Sequence, residues 1–481
     1  MRGHQCPKSL WLYKHRPELR PAVSVAQQAI FDTGTAVGLL AQQRFPGGVD
    51  CTPEHHYDYG PALAATQQAL ADGAAVIYEA AFQHDGVLAA LDILLREPDG
   101  WVAIEVKSST RAKEQFVADA ALQYHVITAS GLPLKAMQVM VIDTSYVRQG
   151  PLDAQRLFKL EDVTEAVLRL QAAVVERIAA LKSVVAAAVV PAVGIGPHCD
   201  SPYTCEFKAH CWAHVPAQGS VLELTNARGK DWELYERGIM RMADIPADEP
   251  LLSSQQRQVN GWRTGEGLLD HEALGSWLAG LRYPLHHFDF ETIMPALPLY
   301  DGTHPYQQLP FQYSLHIQST RGAEPVHREH LGDGRSDPRE ALVQQLLQDI
   351  GPEGDILAYN AAFERSCLKG LARALPQHAP ALLALVERIK DLEHPFKRGW
   401  HYVPAMNGRS SIKAVLPALV PEMNYADLEV QEGMTASRHF ESLLSGSYTG
   451  DVEQLRRDLL AYCRMDTLAM VKVLERLWLS C

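Results

Sequence analysis

Residues 91–109, LDILLREPDGWVAIEVKSS, decide how the first half of the chain reads. Side chains alternate across a strand with a period of two. In WVAIEVKSS, Val102, Ile104 and Val106 therefore share one face, while Ala103, Glu105 and Lys107 share the other. Pro98-Asp99-Gly100 is a turn signal, so the strand that carries Asp92 precedes the one that carries Glu105 and Lys107. Carboxylates in strands this rich in Val, Ile and Leu are costly unless a metal or a partner compensates them. Asp92 and Glu105 can together hold a divalent cation through hard oxygen ligands, with Lys107 placed to orient or deprotonate an attacking water. The plainer alternative is a surface hairpin with an ion pair.

Working outward, AAVIYEAAF (74–82) and VLAALDILL (87–95) are strands joined at Asp85-Gly86. A helix over 116–129 follows and supplies Asp119, Gln123 and Tyr124. AMQVMVIDT (136–144) is the next strand, and apolar spacing predicts a helix over 161–188 that stops before Pro191. Residues 216–280 read as a small helical connector with turns at Pro246 and Gly261. A second α/β segment starts at HHFDFET (286–292), continues through FQYSLHI and DILAYN, and closes on the helix DLLAYCRMDTLAMVKVLERL.

The 481 residues exceed one ordinary core. They are 47% hydrophobic and 21% charged, with a net charge of −13. That balance excludes a protein that coats nucleic acid by bulk electrostatics, yet allows a nuclease with a local basic groove. No apolar run reaches the roughly 18 to 20 residues of a membrane span. The N-terminus lacks the pattern of a secretory signal, so a cytoplasmic location and no membrane partner are expected.

The second half carries its own acids. Asp289 and Glu291 are two apart on a strand and point one way, while Phe288 and Phe290 pack on the other face. Tyr462 and Asp466 are four apart on a helix and share a face. ILAYNAAFERSCL puts Asn360, Phe363 and Glu364 at a strand-to-helix transition. Asp391 and Lys413 read as part of a substrate-facing surface, with Lys413 either contacting phosphate or simply solvated. Between the two acidic sets, Cys199, Cys205 and Cys211 recur at even spacing, and Cys6 can supply a fourth thiolate. Four thiolates suit a [4Fe-4S] cluster or a structural Zn²⁺. Cys51, Cys367, Cys463 and Cys481 have no such company and receive no role.

On Asp92, Glu105-x-Lys107 and Gln123, the first half resembles the RecB-like branch of the PD-(D/E)xK nucleases. The resemblance implies a restriction-endonuclease-like core in which Asp92 and Glu105 bind metal, Lys107 is the catalytic lysine and Gln123 helps hold substrate. In that family an early helix usually adds a His or Glu ligand, and FDTGTAVGLLAQQRF (31–45) offers neither. The split of Cys6 from Cys199, Cys205 and Cys211 is similar to that of the branch's iron–sulfur nucleases, which favours [4Fe-4S] over zinc.

On Asp289-x-Glu291, Asn360-x-x-Phe363-Glu364 and Tyr462-x-x-x-Asp466, the second half resembles the DnaQ-like DEDD exonucleases of RNase H-like fold. Glu364 stands where that family usually has Asp. The resemblance implies metal binding by Asp289, Glu291, Glu364 and Asp466, a water-positioning Tyr462, and two-metal attack on a terminal phosphodiester with Mg²⁺ or Mn²⁺, normally from the 3′ end. Through HHFDFETIMPALPLYDGTHPYQQLPFQYSLH, SSIKAVLPALVP and YCRMDTLAM, most of the chain resembles a bacterial domain-of-unknown-function family numbered 2779.

The expectation is an α/β chain in three parts: a nuclease domain with its cysteine cluster over 1–215, the connector over 216–280, and an exonuclease domain over 281–481. The expected function is metal-dependent hydrolysis of nucleic acid, with DNA as substrate. The alternatives are a nucleic-acid-binding or scaffolding protein with one or both sites inactive, and an RNA-trimming exonuclease.

Overall fold

The computed structural model describes residues 2–55, 57–423, 430 and 433–481. They form a mixed α/β protein with two compact units, Met1–Ala213 with Pro295–Gln307, and His214–Met294 with Gln308–Cys481. Residues 216–280 thus group with the second unit. Residues 295–307, from the second half of the sequence, group with the first.

Among the described residues, the first unit's sheet runs in chain order across its width: β1 (Val49–Asp50), β2 (Val76–His84), β3 (Val87–Glu97), β4 (Gly100–Lys107), β5 (Leu134–Ile142) and β6 (Phe158–Asp162). The turn between β2 and β3 holds Asp85 at φ 45° and Gly86 at φ 71°, the left-handed pair that a two-residue hairpin requires. β4 and β5 are parallel, so the helix Glu114–Ala129 returns the chain across the sheet. Both faces are covered. Ala103 packs with Ala120, Ala121 and Val126 of that helix, and Ile104 packs with Val37 and Leu40 of the helix Val25–Gln42. The row of Ala103, Glu105 and Lys107 is therefore the edge of a buried layer, not an open surface.

β2 and β3 each break phase once. Ile77 and Ala80 lie in one buried layer although three apart, and so do Leu91 and Leu94. The register passes from Tyr78 opposite Ile93 to Ala80 opposite Leu91, leaving Glu79 and Asp92 out of the ladder. Glu79 there adopts φ 53°. Irregularities of this kind bend a strand and re-aim a side chain, and here they fall on two acids.

In the second unit, β7 (Leu268–Leu269) pairs with β13 (His401–Tyr402). The main sheet contains β8 (Leu285–Ile293), β9 (Leu309–Gln318), β10 (Val326–Leu331), β11 (Ile356–Ala358) and β12 (Ile389–Asp391), in the spatial order β10-β9-β8-β11-β12. β8, β11 and β12 are parallel, and β9 runs against β8. Phe288, Phe290 and Tyr313 bury against Leu342, Leu368 and Leu382 of three helices on one face. Against the other face lies the helix Val452–Ser480, whose Ala469, Val473 and Leu474 pack with Leu285 and Leu357. Polar residues of β9 lock that helix in place. Gln312 Nε2 donates to Leu459 O at 2.8 Å, and Ser314 Oγ and His316 Nδ1 meet the Thr467 hydroxyl at 2.7 and 2.8 Å.

The turn expected at Gly261 does not form. The helix Ser253–Thr264 runs through it and ends at Gly265, φ 72°. Gly261 instead permits close packing, since a Cβ there would sit 3.3 Å from the Tyr402 ring. No helix of the described residues is long and apolar enough to cross a membrane.

Candidate functional site

The second acidic set converges. β8 directs Asp289 and Glu291 away from Phe288 and Phe290, toward the helix that carries Tyr462, Cys463 and Asp466. A cavity of about 370 Å³ is lined by Asp289, Glu291, Tyr462, Asp466 and Lys413, together with Tyr359 and Asn360 after β11 and Glu393 after β12. It thus opens where parallel strands end, the usual place for ligands in such sheets. Among the described residues, Asp289, Glu291 and Cys463 put three possible ligand atoms within 4.8 Å of one another.

Glu364, in the first turn of the helix Ala362–Ala374, is 1% exposed. Its Oε2 is buried with no hydrogen-bond partner among the described residues. Burial pushes the Asp289 carboxyl well above the usual range, and the charges of Asp466, Glu291 and Glu364 add to the shift. Burial and Asp466 push Glu291 up to about 8 against the opposing pull of Lys413. Burial, then Asp391, push Glu364 up to about 8. Four carboxylates in one neighbourhood repel one another, and a cation would relieve that repulsion.

Around them, Asp391, expected on a substrate-facing surface, is engaged by the backbone through one oxygen. Its Oδ1 accepts the backbone N–H groups of Asn360 and Glu393, both at 3.0 Å, and so ties together the segments after β11 and β12. Asn360 holds φ 64°, a conformation asparagine tolerates. Three neighbours were missed in the sequence. Cys463 Sγ lies 3.8 Å from Asp289 Oδ2. Glu393, 7% exposed, accepts from Ser410 Oγ at 2.7 Å and pairs with Lys397 at 2.5 Å. A Cβ on Gly433 would come within 3.5 Å of Glu291 Oε2 and 3.8 Å of the Tyr462 hydroxyl, so a backbone segment closes over both. Only Cys463 carried a signal, because it lies one turn from both Leu459 and Thr467 on the buried face of its helix.

The first acidic set also comes together, but its groups are already engaged. Asp92 Oδ2 accepts the Val106 N–H at 2.6 Å, where the β3–β4 ladder stops. Glu105 accepts from Lys107 Nζ at 2.6 Å through one oxygen and from Gln123 Nε2 at 2.9 Å through the other. Lys107 also reaches Asp119 at 3.0 Å. Burial works against the Lys107 ammonium, but Glu105 and Asp119 outweigh it and hold the lysine well above its ordinary value. Its ammonium is shared between the Glu105 and Asp119 carboxylates. Gln123 Oε1 is buried without a partner among the described residues.

Glu79 joins this set at the break in the β2–β3 ladder. Burial, then Glu105 and Asp50, push its carboxyl up to about 7, and Glu79 in turn helps raise Asp92. The early helix offers no His or Glu, and strand β2 brings a third carboxylate to this set. Its sequence signal was a lone Glu between Tyr78 and Ala80 in an apolar strand.

Cys6, Cys199, Cys205 and Cys211 line one small cavity with Lys8 and His198. Burial raises the Cys6 and Cys211 thiols, Lys8 opposes the shift at Cys211, and the neighbouring cysteines raise both further. The four sulfurs therefore share one electrostatic neighbourhood. They do not form a group with three ligand atoms within 4.8 Å of one another, as the acid cavity does.

Residues 286–411 match a family model described as a domain of unknown function, DUF2779. That span covers the DFE strand and the segment through Asp391, a narrower stretch than the resemblance over most of the chain. Curated relatives include the uncharacterized protein UU173 of Ureaplasma parvum, 27% identical over 42% of this chain and 32% of its own length. The uncharacterized protein MG366 homolog of Mycoplasma pneumoniae is 24% identical over 50% of this chain and 40% of its own. The chain thus spans about a third to two-fifths of the length of these relatives.

Proposed function

We propose that the chain is a metal-dependent nuclease whose principal site is the acid cavity of the second unit, read as a DEDD-type exonuclease centre on an RNase H-like fold. The carrying observation is that Asp289, Glu291 and Asp466 line one cavity, with the buried Glu364 among the charges that act on Asp289. The unpartnered Glu364 Oε2, the close Asp289 and Glu291 oxygens and the raised carboxyls all fit divalent cations. Oxygen donors of this kind suit Mg²⁺ or Mn²⁺. When bound, such ions polarise the phosphodiester and lower the pKa of an attacking water. Tyr462 then orients that water beside Glu291, and Lys413 offers its ammonium to a non-bridging phosphate oxygen. Asp391 fixes the cavity rim through Asn360 and Glu393. DNA is the proposed substrate.

Anaerobically purified full chain, given Mn²⁺ or Mg²⁺ and end-labelled single- and double-stranded DNA and RNA, tests this. Stepwise shortening of DNA from the 3′ end is expected, and D289N should lower it by at least about 100-fold, the scale on which metal sites respond to altered ligands. No cleavage of any substrate rejects the reading. A preference for RNA would redirect it to an RNA-trimming enzyme.

For the first unit, Asp92, Glu105, Lys107 and Gln123 support a second, PD-(D/E)xK site. The full engagement of both Glu105 oxygens favours the alternative, in which this unit is a nucleic-acid platform. Cleavage that survives K107A and is abolished by D289A selects the platform.

For the cysteines, a tetrahedral zinc site with bonds near 2.3 Å would set its sulfurs about 3.8 Å apart. The four thiols around one small cavity, split between Cys6 and the Cys199–Cys211 run, support a [4Fe-4S] cluster on the iron–sulfur nuclease resemblance. Colourless protein that carries zinc and no iron would refute it.

A further inference from the structure

Beside the acid cavity, within the same unit, lies a second cavity of about 260 Å³ whose wall includes Arg257, Lys397, Arg409, Asn226, Ser254 and Ser410, and which no carboxylate lines. In a chain with a net charge of −13, three cations around one acid-free cavity form a local exception. Two of the three are paired away from the cavity. Lys397 is held by Glu393 at 2.5 Å, and Arg409 reaches Glu223 at 3.5 Å. Arg257 makes no ion pair among the described residues.

The wall is built around that guanidinium. Arg257 sits on the helix Ser253–Thr264, and the next residue, Gln258, clamps the helix to its surroundings. Gln258 Oε1 accepts the Thr225 N–H at 2.8 Å, and its Nε2 donates to Glu223 O at 2.9 Å and Asn407 O at 3.0 Å. Gly399, at φ 71°, leaves the space Arg257 occupies, since a Cβ there would lie 2.6 Å from Arg257 Cζ. An arginine at this place presents planar N–H donors that match phosphate geometry.

The two cavities share a partition. Glu393 lines the acid cavity, while Ser410 and Lys397, both bonded to it, line the cationic one. Lys397 also approaches Asn360 Oδ1 at 3.5 Å, on the acid side. A strand whose scissile phosphate rests among the acids would bring a neighbouring phosphate to the far side of Glu393.

From this the geometry points to a phosphate subsite: the Arg257, Lys397 and Arg409 cavity holds a backbone phosphate of the nucleic-acid strand being processed at the acid cavity. This rests on the nuclease reading and adds a substrate-holding site outside the acidic motifs. Phosphate contacts of this kind position a strand and are independent of its sequence.

Equilibrium binding by the metal-free full chain tests it, with a labelled single-stranded DNA titrated over a range of salt. R257Q is expected to weaken binding several-fold and to reduce the slope of log K against log salt by about 0.7, the value for one phosphate contact on a single strand. R409Q, at an exposed position, should act in the same direction, and both variants should melt with the parent protein. Parental affinity and slope in both variants overturn the subsite and leave the nuclease reading standing. Pyrophosphate, titrated by calorimetry, separates the remaining cases. Arg257-dependent pyrophosphate binding without DNA binding keeps the anion site but overturns its role as a strand subsite, and leaves the nuclease reading to the cleavage assay. A parent chain that binds neither probe overturns the subsite.

Discussion

Glu364 carries one methylene more than the aspartate that the proposed exonuclease reading would expect there, and its Oε2 has no hydrogen-bond partner among the described residues. The extra reach fits a side chain that starts in the first turn of a helix and must extend toward Asp289 on the sheet. Metal-free protein keeps Glu291 and Glu364 at about 8, against an ordinary value near 4.5. In that window the folded state holds protons that the unfolded chain releases, so stability falls as pH rises. The melting temperature of metal-free protein should therefore drop from about pH 4.5 to about pH 8, and Mn²⁺ should restore most of the loss at the upper end. A higher melting temperature at the upper pH without metal would contradict the acid cluster. Lys107 behaves in the opposite sense, since two carboxylates keep it charged. Its substitution K107M, which retains the stem but removes the ammonium, leaves Glu105 and Asp119 facing each other without a cation, and should lower stability by about 1 to 3 kcal/mol in denaturant titration.

At the scale of elements, two local conformations set the sites. The break in the β2–β3 ladder holds Glu79 at φ 53°, a conformation that costs a non-glycine residue about 1 to 2 kcal/mol. E79G should therefore be more stable than E79A by about 1 kcal/mol, and both should weaken Mn²⁺ binding at the first site, measured by calorimetry in a D289N background. Equal Mn²⁺ affinity in E79A and its parent would remove Glu79 from that site. In the second unit, Gly354 at φ 78° precedes β11, and a Cβ there would lie 1.9 Å from Pro284 O, just before β8. The neighbouring Asp355, fully buried, accepts from the Arg282 N–H at 2.9 Å and guanidinium at 2.8 Å and pairs with Lys390 at 3.1 Å. This corner fixes the β8–β11 register, and with it the spacing between Asp289 and the Asn360 turn. G354A should cost about 3 kcal/mol or more in denaturant titration, the scale of backbone collisions that cannot relax.

At the scale of the molecule, each unit binds distant sequence into one body. Cys6 and the Cys199–Cys211 run meet at one cavity, and closure of so long a loop carries an entropic cost that a ligated cluster would offset. Iron removal from anaerobically purified protein by a chelator should therefore lower the melting temperature of the first unit, and C199A should do the same. An unchanged melting curve would leave the four cysteines without a stabilising ligand. The same unit takes in residues 295–307 from the second half of the sequence. There Arg148 Nη1 donates to Pro298 O and Leu299 O at 3.0 and 2.7 Å, and the Tyr306 hydroxyl meets Ser108 Oγ at 3.2 Å, next to Lys107.

Much of this was legible in the chain because it depends on local periodicity. Alternation in WVAIEVKSS and HHFDFET assigned the faces of β4 and β8, Asp85-Gly86 marked the hairpin, and four-residue spacing put Tyr462 beside Asp466. The strands and helices carrying those residues follow from steric rules that act over a few positions. Other features depend on neighbours far away in sequence. The sequence reading made Gly261 a turn, whereas packing against Tyr402 lets a helix pass through it. Asp391 read as part of a surface, and only the fold showed that its Oδ1 accepts two backbone N–H groups from segments after β11 and β12. Glu79 showed only as a lone Glu in an apolar strand, because a break in the β2–β3 ladder interrupts the alternation that would have assigned its face, and Cys463 became informative only once Asp289 was beside it. Residue type and spacing alone determined which side chains could carry acid chemistry. Tertiary structure alone decided which of them remain available, because burial, repulsion and competing hydrogen bonds arise only when distant segments meet.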